Sequence, residues 1–429
     1  VKTVLLLATT TGYQIRSFGE AAEKLGVRLV FATDRCDRLE DPWWDRAVPI
    51  RFHEEDRSVA KILGAMDGER VHGVVAVGDR PTIIAARVAE AIGLEGNPAD
   101  AAAASRNKLA ARLALKRASL PVPWFQPVPL SRDPGSLAAD VPYPCVVKPL
   151  ALSGSRGVIR ANTPGEFTAA FERVRALLRG PDVRIERDSA HDAIMIESFI
   201  AGREYALEGL LTRGTLRMLA IFDKPDPLNG PFFEETIYLT PSALAREQQA
   251  AVAAAVDSAA RALGLRHGPL HAEVRVNEGG VFVLEVAARP IGGLCAKALR
   301  FAAPHDAQSL VSLEELLLRH ALGEDVSRYE RERSASGVMM IPIPRRGIYK
   351  SVGGVDDARA VCGVVDIRIT AKPDQHLVPL PEGKSYLGFI FAGGETANAV
   401  DTALRDAHAR LAFRIDRALT PNPAFAIGD

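Results

Sequence analysis

HAEVRVNEGGVFVLEVAARPIGG, running from His271 to Gly293, is the stretch from which the fold is read. Two Val-rich runs flank Asn277-Glu278-Gly279-Gly280, which predicts a hairpin with a three-residue turn ending in Gly. In that register Glu273 stands opposite Glu285. Period-two alternation then sorts Val274, Val276, Phe282, Leu284 and Val286 onto one apolar face. Glu273, Arg275, Val283 and Glu285 fall on the other. Two carboxylates opposed across strands repel, so the pair requires a cation. A divalent ion such as Mg²⁺, held by one or two carboxylates while phosphate oxygens complete its shell, meets that requirement. The alternative is an exposed face on which Arg275 neutralises the acids.

Working outward, 429 residues suggest roughly three domains. A hydrophobic fraction of 47% with 25% charged residues is that of a soluble globular protein. Lys plus Arg and Asp plus Glu both total 53, so no global charge draws the chain to nucleic acid or to an anionic membrane. Cys36, Cys145, Cys295 and Cys362 match no zinc or redox spacing and read as reduced thiols, with a cytoplasmic location expected. The apolar run in VKTVLLLATTTGY is too short for a membrane span and reads as a first strand rather than a signal peptide.

Residues 1–100 alternate apolar strands (Val4–Thr9, Val27–Thr33, Gly73–Gly78) with helices (Ser17–Leu25, Val59–Met66, Arg80–Ile92), the pattern of a parallel sheet covered on both faces. The first strand-to-helix turn, Ala8 to Gly12, lacks the G-x-G-x-x-G fingerprint, which disfavours dinucleotide binding. Residues 101–120 are Ala-rich and predict one helix with Lys108 and Arg112 on a shared face, as ligands or as solvated cations. PVPWFQPVPL (Pro121–Leu130) reads as an extended connector.

CVVKP is a strand ending at Lys148, Ser153-Gly154-Ser155-Arg156-Gly157 a flexible loop, and VIRA a second strand. This is not a P-loop, but backbone N–H groups of a small-residue turn surround phosphate oxygens well, and Lys148 adds a point charge. Thr163 and Pro164 begin a helix over 164–180. Strands follow at 193–202, 204–212 and 216–224, with Glu204 and Glu208 on one face. An acid there holds a ribose hydroxyl or faces solvent. Glu234, Glu235 and Tyr238 are polar candidates on the next loop and strand, and Ser242–Leu263 predicts a helix capped by Ser242 and stopped by Gly264. Beyond a helix at Ser312–Leu322 and a charged linker at 323–336, short strands alternate with helices at Val355–Val361 and Thr396–Ile415, a small α+β unit.

The order of a strand-ending Lys148, a small-residue hairpin loop, the linker ESFI, and acids on adjacent strands ending in LEVAARPIGG closely resembles the ATP-grasp ligases. FFEETIYLTP, LEVAARPIGG and GGVDDA…FAGGETANAV are most similar to the L-amino-acid α-ligases, which make dipeptides. The resemblance implies an α/β and α+β ATP-grasp fold. Its parts would be an N-terminal parallel-sheet domain (1–100), a helix plus lid subdomain (101–200), a large subdomain with the metal site (201–325) and a C-terminal α+β domain (326–429). It implies ATP and Mg²⁺ (or Mn²⁺) as cofactors and small carboxylate and amine substrates, amino acids first among them, with a homodimer compatible.

Carried over by position, Lys108 and Lys148 bind ATP phosphates, Lys148 with a catalytic share, and Ser153, Gly154, Ser155 and Gly157 belong to the phosphate loop. Glu197, Ser198, Phe199 and Ile200 form the adenine linker, and Glu204 binds ribose. Glu273 and Glu285 hold the metal. Arg289 steadies the acyl phosphate, Glu235 receives the first substrate's ammonium group, and Gly292 and Gly293 contact substrate. Tyr238 stands where some members have His, and Ala287 where many have a metal-binding Asn, a form the dipeptide-ligase branch shares. A ligase for a non-amino-acid carboxylate, and a nucleotide-binding protein without ligase chemistry, are the alternatives.

Overall fold

The computed structural model describes residues 1–10, 13–35, 47–303 and 306–417, the side chains of 306–308 excepted. Cys36 and the turn residues Thr11 and Gly12 lie outside them.

Every residue of the strand Thr3–Ala8 is buried, because a strand inside a parallel sheet has helices on both faces. It pairs in parallel with Arg28–Thr33 on one side and Gly73–Val77 on the other, and Val48–Pro49 completes a four-stranded sheet. Helices Ile15–Leu25 and Glu55–Ala65 connect these strands, and Thr82–Ala91 follows the last of them. Gly73 is where this sheet meets the rest of the molecule: a Cβ there would lie 2.5 Å from the carbonyl oxygen of Ala321. Ala321 ends the helix Leu313–Ala321, whose cap Ser312 accepts a hydrogen bond from Glu315 N–H at 3.1 Å.

The Ala-rich stretch forms two helices rather than one, Ala99–Arg106 and Lys108–Arg117. Asn107 breaks it. Its backbone is extended, and its side chain accepts from the N–H groups of Leu109 and Ala110, so local capping overrides alanine's propensity. The Pro-rich connector contains a true strand, Phe125–Pro129, at the edge of a second sheet, where missing N–H groups are tolerated. Ala193–Ser198, Cys145–Pro149 and Ile159–Ala161 follow in that antiparallel sheet. Helix Pro164–Arg179, capped by Thr163, buries Phe167, Phe171 and Val174 beside it.

The largest sheet has eight strands in antiparallel sequence: Gly280–Ala287, Gly268–Asn277, Arg203–Thr212, Thr215–Asp223, Ile237–Thr240, Ala335–Ile341, Gly388–Gly394 and Val364–Ile369. Its last three strands come from the C-terminal α+β segment, which therefore extends the sheet that carries the opening hairpin. Two expected helices are shorter. One begins at Arg246, because Ser242 turns its hydroxyl to Asp223 instead of capping, and it ends at left-handed Gly264 as expected. The other spans Ala397–Ala409, and the residues beyond it form the strand Ala412–Asp416 against Gly347–Gly353. No described helix is long and apolar enough to cross a membrane.

Candidate active site

The opening hairpin pairs Glu273 with Glu285. Its turn is shorter than expected: only Glu278 and Gly279 separate the strands, with Asn277 Oδ1 accepting from Gly279 N–H at 2.8 Å and Gly280 at φ +110°. Just past the acidic pair, Val274 opposes Val283 and leaves Leu284 as a bulge. The extra residue reverses the alternation beyond it. Val281 and Val283 join Val274 and Val286 in the core, while Leu284 turns with Glu285 into a cavity. Phe282 and Leu284 thus leave the face that strict alternation assigns them.

That cavity, of about 470 Å³, lies between the N-terminal sheet, the four-stranded sheet that carries Lys148 and the hairpin. Lys108 opens the helix Lys108–Arg117, and its Nζ reaches Glu285 at 3.1 Å and Leu152 O at 2.8 Å. Arg275 does not neutralise the acidic pair. Its Nε donates to Glu204 Oε2 at 3.0 Å and its Nη1 to Ile200 O at 2.6 Å, while the guanidinium lies 4.9 Å from the Phe199 ring.

Lys148 is buried and donates to Glu197, which Arg112 Nε also grips at 3.0 Å. Arg112 in turn donates to Val283 O at 3.0 Å, tying its helix to the strand Ala193–Ser198 and to the hairpin. Burial, aided by the Arg112 charge and opposed by Glu197, lowers the Lys148 ammonium to about 8. Burial works against the Glu197 carboxylate, yet Arg112 and Lys148 together hold it down at about 2. Glu197 thus acts through an ion pair. Ser198 does not line the cavity, and its N–H donates to Trp124 O at 2.9 Å; Glu197, Phe199 and Ile200 do line it.

In the loop, Ser153, Gly154 and Ser155 line the cavity, with Gly154 and Ser155 in left-handed backbone (φ +63° and +54°). Gly157 does not. A Cβ there would meet Pro149 at 2.8 Å and Leu177 at 2.9 Å, and its N–H donates to Pro381 O at 2.7 Å. Arg156 Nε donates to Glu382 O at 2.8 Å, so the loop's far end is fastened to the C-terminal segment.

Arg289 is paired across the domain boundary with Asp79, just after the strand Gly73–Val77, at 2.8 and 3.3 Å. Burial opposes the Arg289 charge, but Asp79 holds the guanidinium firmly protonated. Gly292 and Gly293 line the cavity beside it, and Gly293 sits at φ +62° against the edge of Phe389. Behind them His271 Nδ1 lies 3.1 Å from Glu208 Oε2, and Glu208 Oε1 accepts from Ile291 N–H at 3.1 Å. Burial disfavours the imidazolium, but the Glu208 bond, with help from Glu273, raises His271 to about 9.

Glu204 and Glu235 do not stand free for ribose or ammonium. Lys224 Nζ donates to Glu204 at 2.8 Å, to Glu273 at 3.2 Å and to Glu235. Burial, with Glu273 adding to it and Lys224 opposing, raises the Glu235 carboxyl to about 7. Tyr238 is buried, 5.0 Å from Lys224 Nζ measured to the ring centre, and burial raises its hydroxyl well above the ordinary value. Oxygens of Glu204, Glu235 and Glu273 lie within 4.8 Å of one another, but the cation among them is this lysine. Glu273 and Glu285, cross-strand partners that both line the cavity, are the oxygen donors that could hold a hard divalent cation. Buried Ala287 adds no ligand there.

Sequence reasoning did not single out Asp79, His271 or Lys224 as site residues. A signal existed for Lys224: FDKP repeats the strand–Lys–Pro ending of CVVKP.

The chain matches the ATP-grasp N-terminal domain over residues 19–96, the ATP-grasp domain over 141–298 and the L-amino acid ligase C-terminal domain 2 over 339–416. It is 25% identical to the uncharacterized protein y4rH of Sinorhizobium fredii (strain NBRC 101917 / NGR234), over 98% of this chain and 84% of that one. It is 28% identical to the alanine–anticapsin ligase of Bacillus subtilis over 48% of this chain, and spans 46%, about half, of that relative's length. The crystal structure of an L-amino acid ligase from Bacillus licheniformis superposes with a TM-score of 0.80 at 25% identity, covering 97% of this chain and 99% of that one. With the three domain types in their order along one chain and the whole architecture shared, the chain belongs to the ATP-grasp carboxylate–amine ligases and carries the C-terminal domain of the L-amino acid ligases.

Proposed function

We propose that the protein uses ATP to activate a small carboxylic acid and joins it to the amine of an amino acid, giving a dipeptide or a similar amide with ADP and phosphate. The observation that carries this reading is the convergence of Lys108, Lys148, Glu273, Glu285 and Arg289, from three separate stretches of chain, on one cavity.

A carboxylate is a poor acyl donor because its leaving group would be oxide. In the proposed reaction a carboxylate oxygen attacks the γ-phosphorus of ATP, the bond from that phosphorus to the β,γ-bridging oxygen breaks, and ADP leaves. The amine then attacks the acyl carbon, the acyl C–O bond breaks, phosphate departs with its electron pair, and the nitrogen loses a proton. Phosphoryl transfer needs positioning and charge neutralisation more than covalent help. Lys108 and Lys148 would hold the phosphate oxygens, and the N–H groups of Ser153, Gly154 and Ser155 would face them. Phe199 and Ile200 would border the base. Glu273 and Glu285 would hold Mg²⁺, which when bound neutralises charge on the terminal phosphates. Arg289, its guanidinium set in place by Asp79, would orient the carboxylate through its remaining N–H groups. The loop's anchorage at Pro381 and Glu382 would keep water from the acyl phosphate. The likeness to the alanine–anticapsin ligase and to a D-alanine–D-alanine ligase, 28% identical over 46% of this chain, supports amino acids as substrates.

The test is release of ADP and phosphate from ATP across pairs of acids and amino acids, with product identified by mass. ADP and phosphate equal to product are expected; pyrophosphate in that ratio refutes the acyl-phosphate route.

A further inference from the structure

Glu208 is fully buried, and neither the phosphoryl transfer nor the amide step uses it. It lies on the strand Arg203–Thr212 directly opposite His271, which itself stands opposite Ala287, so the three form one row across the sheet. We propose that Glu208 is a positioning residue: by holding Ile291 N–H it folds the chain after Ala287 back over the sheet, and so brings Arg289 to the cavity that Glu273 and Glu285 line. This rests on the ligase reading above for what Arg289 does, but not for where Arg289 is held.

Strand geometry by itself would send Arg289 elsewhere. Ala287 ends the edge strand Gly280–Ala287, and an extended continuation would carry Arg289 about 13 Å along the chain past Glu285. Instead the chain turns back. Ile291 meets Glu208, which lies two strands in from that edge, and Glu208 Oε1 accepts from Ile291 N–H at 3.1 Å. The other oxygen, Oε2, lies 3.1 Å from His271 Nδ1, a second contact that fixes which way the carboxylate faces. From the opposite side Gln14 donates to Ile291 O, so this peptide unit is held at both its N–H and its carbonyl. Asp79 then receives the Arg289 guanidinium at 2.8 and 3.3 Å. Of these three anchors, Gln14 and Asp79 flank strands of the N-terminal sheet, whereas Glu208 stands on the sheet that carries Glu273 and Glu285. Glu208 therefore sets the place of Arg289 relative to those two carboxylates. A buried carboxylate is costly unless its oxygens are used, and here both are.

The experiment compares Glu208→Ala with the wild type, each as the full chain. Three quantities are read: hydrogen–deuterium exchange over residues 287–293, ADP affinity with Mg²⁺ by calorimetry, and ADP release with the acid and amino-acid pair that yields most product in the wild type. Exchange at the Ile291 amide is expected to quicken by at least about tenfold, because the turn loses its anchor. Turnover is expected to fall by about 10- to 100-fold, the effect of displacing a positioning group by a fraction of a bond length to an ångström. ADP affinity stays as in the wild type. In an Arg289→Ala background the same change is expected to cost less than about threefold more, since Glu208 then has no guanidinium to place. Full additivity of the two losses would overturn the proposal, as would unchanged exchange in Glu208→Ala. Should that variant fold poorly, Glu208→Gln carries the test. Its amide oxygen still accepts from Ile291 N–H, so the turn is expected to stay protected and most of the turnover to be recovered. Turnover lost with the turn still protected would overturn the proposal, because charge rather than position would then matter. ADP release from no pair in the wild type would refute the ligase reading alone, and exchange at Ile291 would still decide whether Glu208 holds the turn.

Discussion

Lys148 and Glu197 form a buried pair in which the two partners are expected to fail differently. Lys148→Met keeps the stem volume and removes the ammonium. Glu197 then retains Arg112 at 3.0 Å, so no charge is orphaned. The lost bond and the relieved burial of a cation should offset to within about 1 kcal/mol of stability. ATP loses a charged donor worth roughly 1.5–3 kcal/mol, so its affinity should fall by about 10- to 100-fold. Glu197→Leu does the reverse. It leaves Lys148, 6% exposed, and Arg112, 1% exposed, without their carboxylate, and should cost about 3–5 kcal/mol of stability. Titration with a non-hydrolysable ATP analogue and thermal unfolding of both variants separate the effects. The ammonium is also expected to be lost as pH rises through about 8, far below lysine's usual 10.5, because burial disfavours it. Wild-type affinity should therefore decline across that range while the Lys148→Met affinity stays flat. Unchanged affinity in Lys148→Met would remove the lysine from the phosphate site, and a stable Glu197→Leu would contradict the buried geometry.

Glu285→Gln is expected to stay folded, since only Lys108 at the cavity wall loses its partner, while Mg²⁺-dependent turnover falls by about 100-fold or more; wild-type turnover at saturating ATP and Mg²⁺ would end the metal assignment. Arg289→Lys keeps the charge but not the fork that meets Asp79 at 2.8 and 3.3 Å, and should reduce amide formation by about tenfold or more with ATP affinity intact. Equal losses in both would make Arg289 a structural residue. His320, stacked on His267 at 4.3 Å and 2.9 Å from Thr212 Oγ1, is lowered to about 4 by burial and by the His267 charge. Its folded value lies below the unfolded one near 6.5, so its share of stability, about 3 kcal/mol, is present above pH 6.5 and lost as pH falls toward 4. Denaturation midpoints across that range should fall in the wild type and less in His320→Gln; parallel curves would refute the assignment.

Local patterns were legible in the chain alone. The apolar run at Thr3–Ala8, the cap at Thr163, the stop at Gly264 and the facing of Glu273 and Glu285 each depend on residues a few positions apart. Alternation, capping and turn chemistry act at that range, so the strands bearing the acids and Lys148 could be placed before any tertiary contact was known. The bulge at Leu284 was not legible, because one extra residue reverses which valines face the core without altering composition. Nor was the sharing of one sheet by the hairpin and the C-terminal strand Ala335–Ile341, which depends on a pairing with Ile237–Thr240 about a hundred residues earlier. Partner choice among charges came only from the tertiary structure. Arg289 finds Asp79 across 210 positions, and Lys224 finds Glu204, Glu235 and Glu273 on three neighbouring segments. The chain holds 53 cationic and 53 acidic side chains, so spacing alone cannot say which pair. Packing decides it, because a charge taken out of water must end beside its opposite.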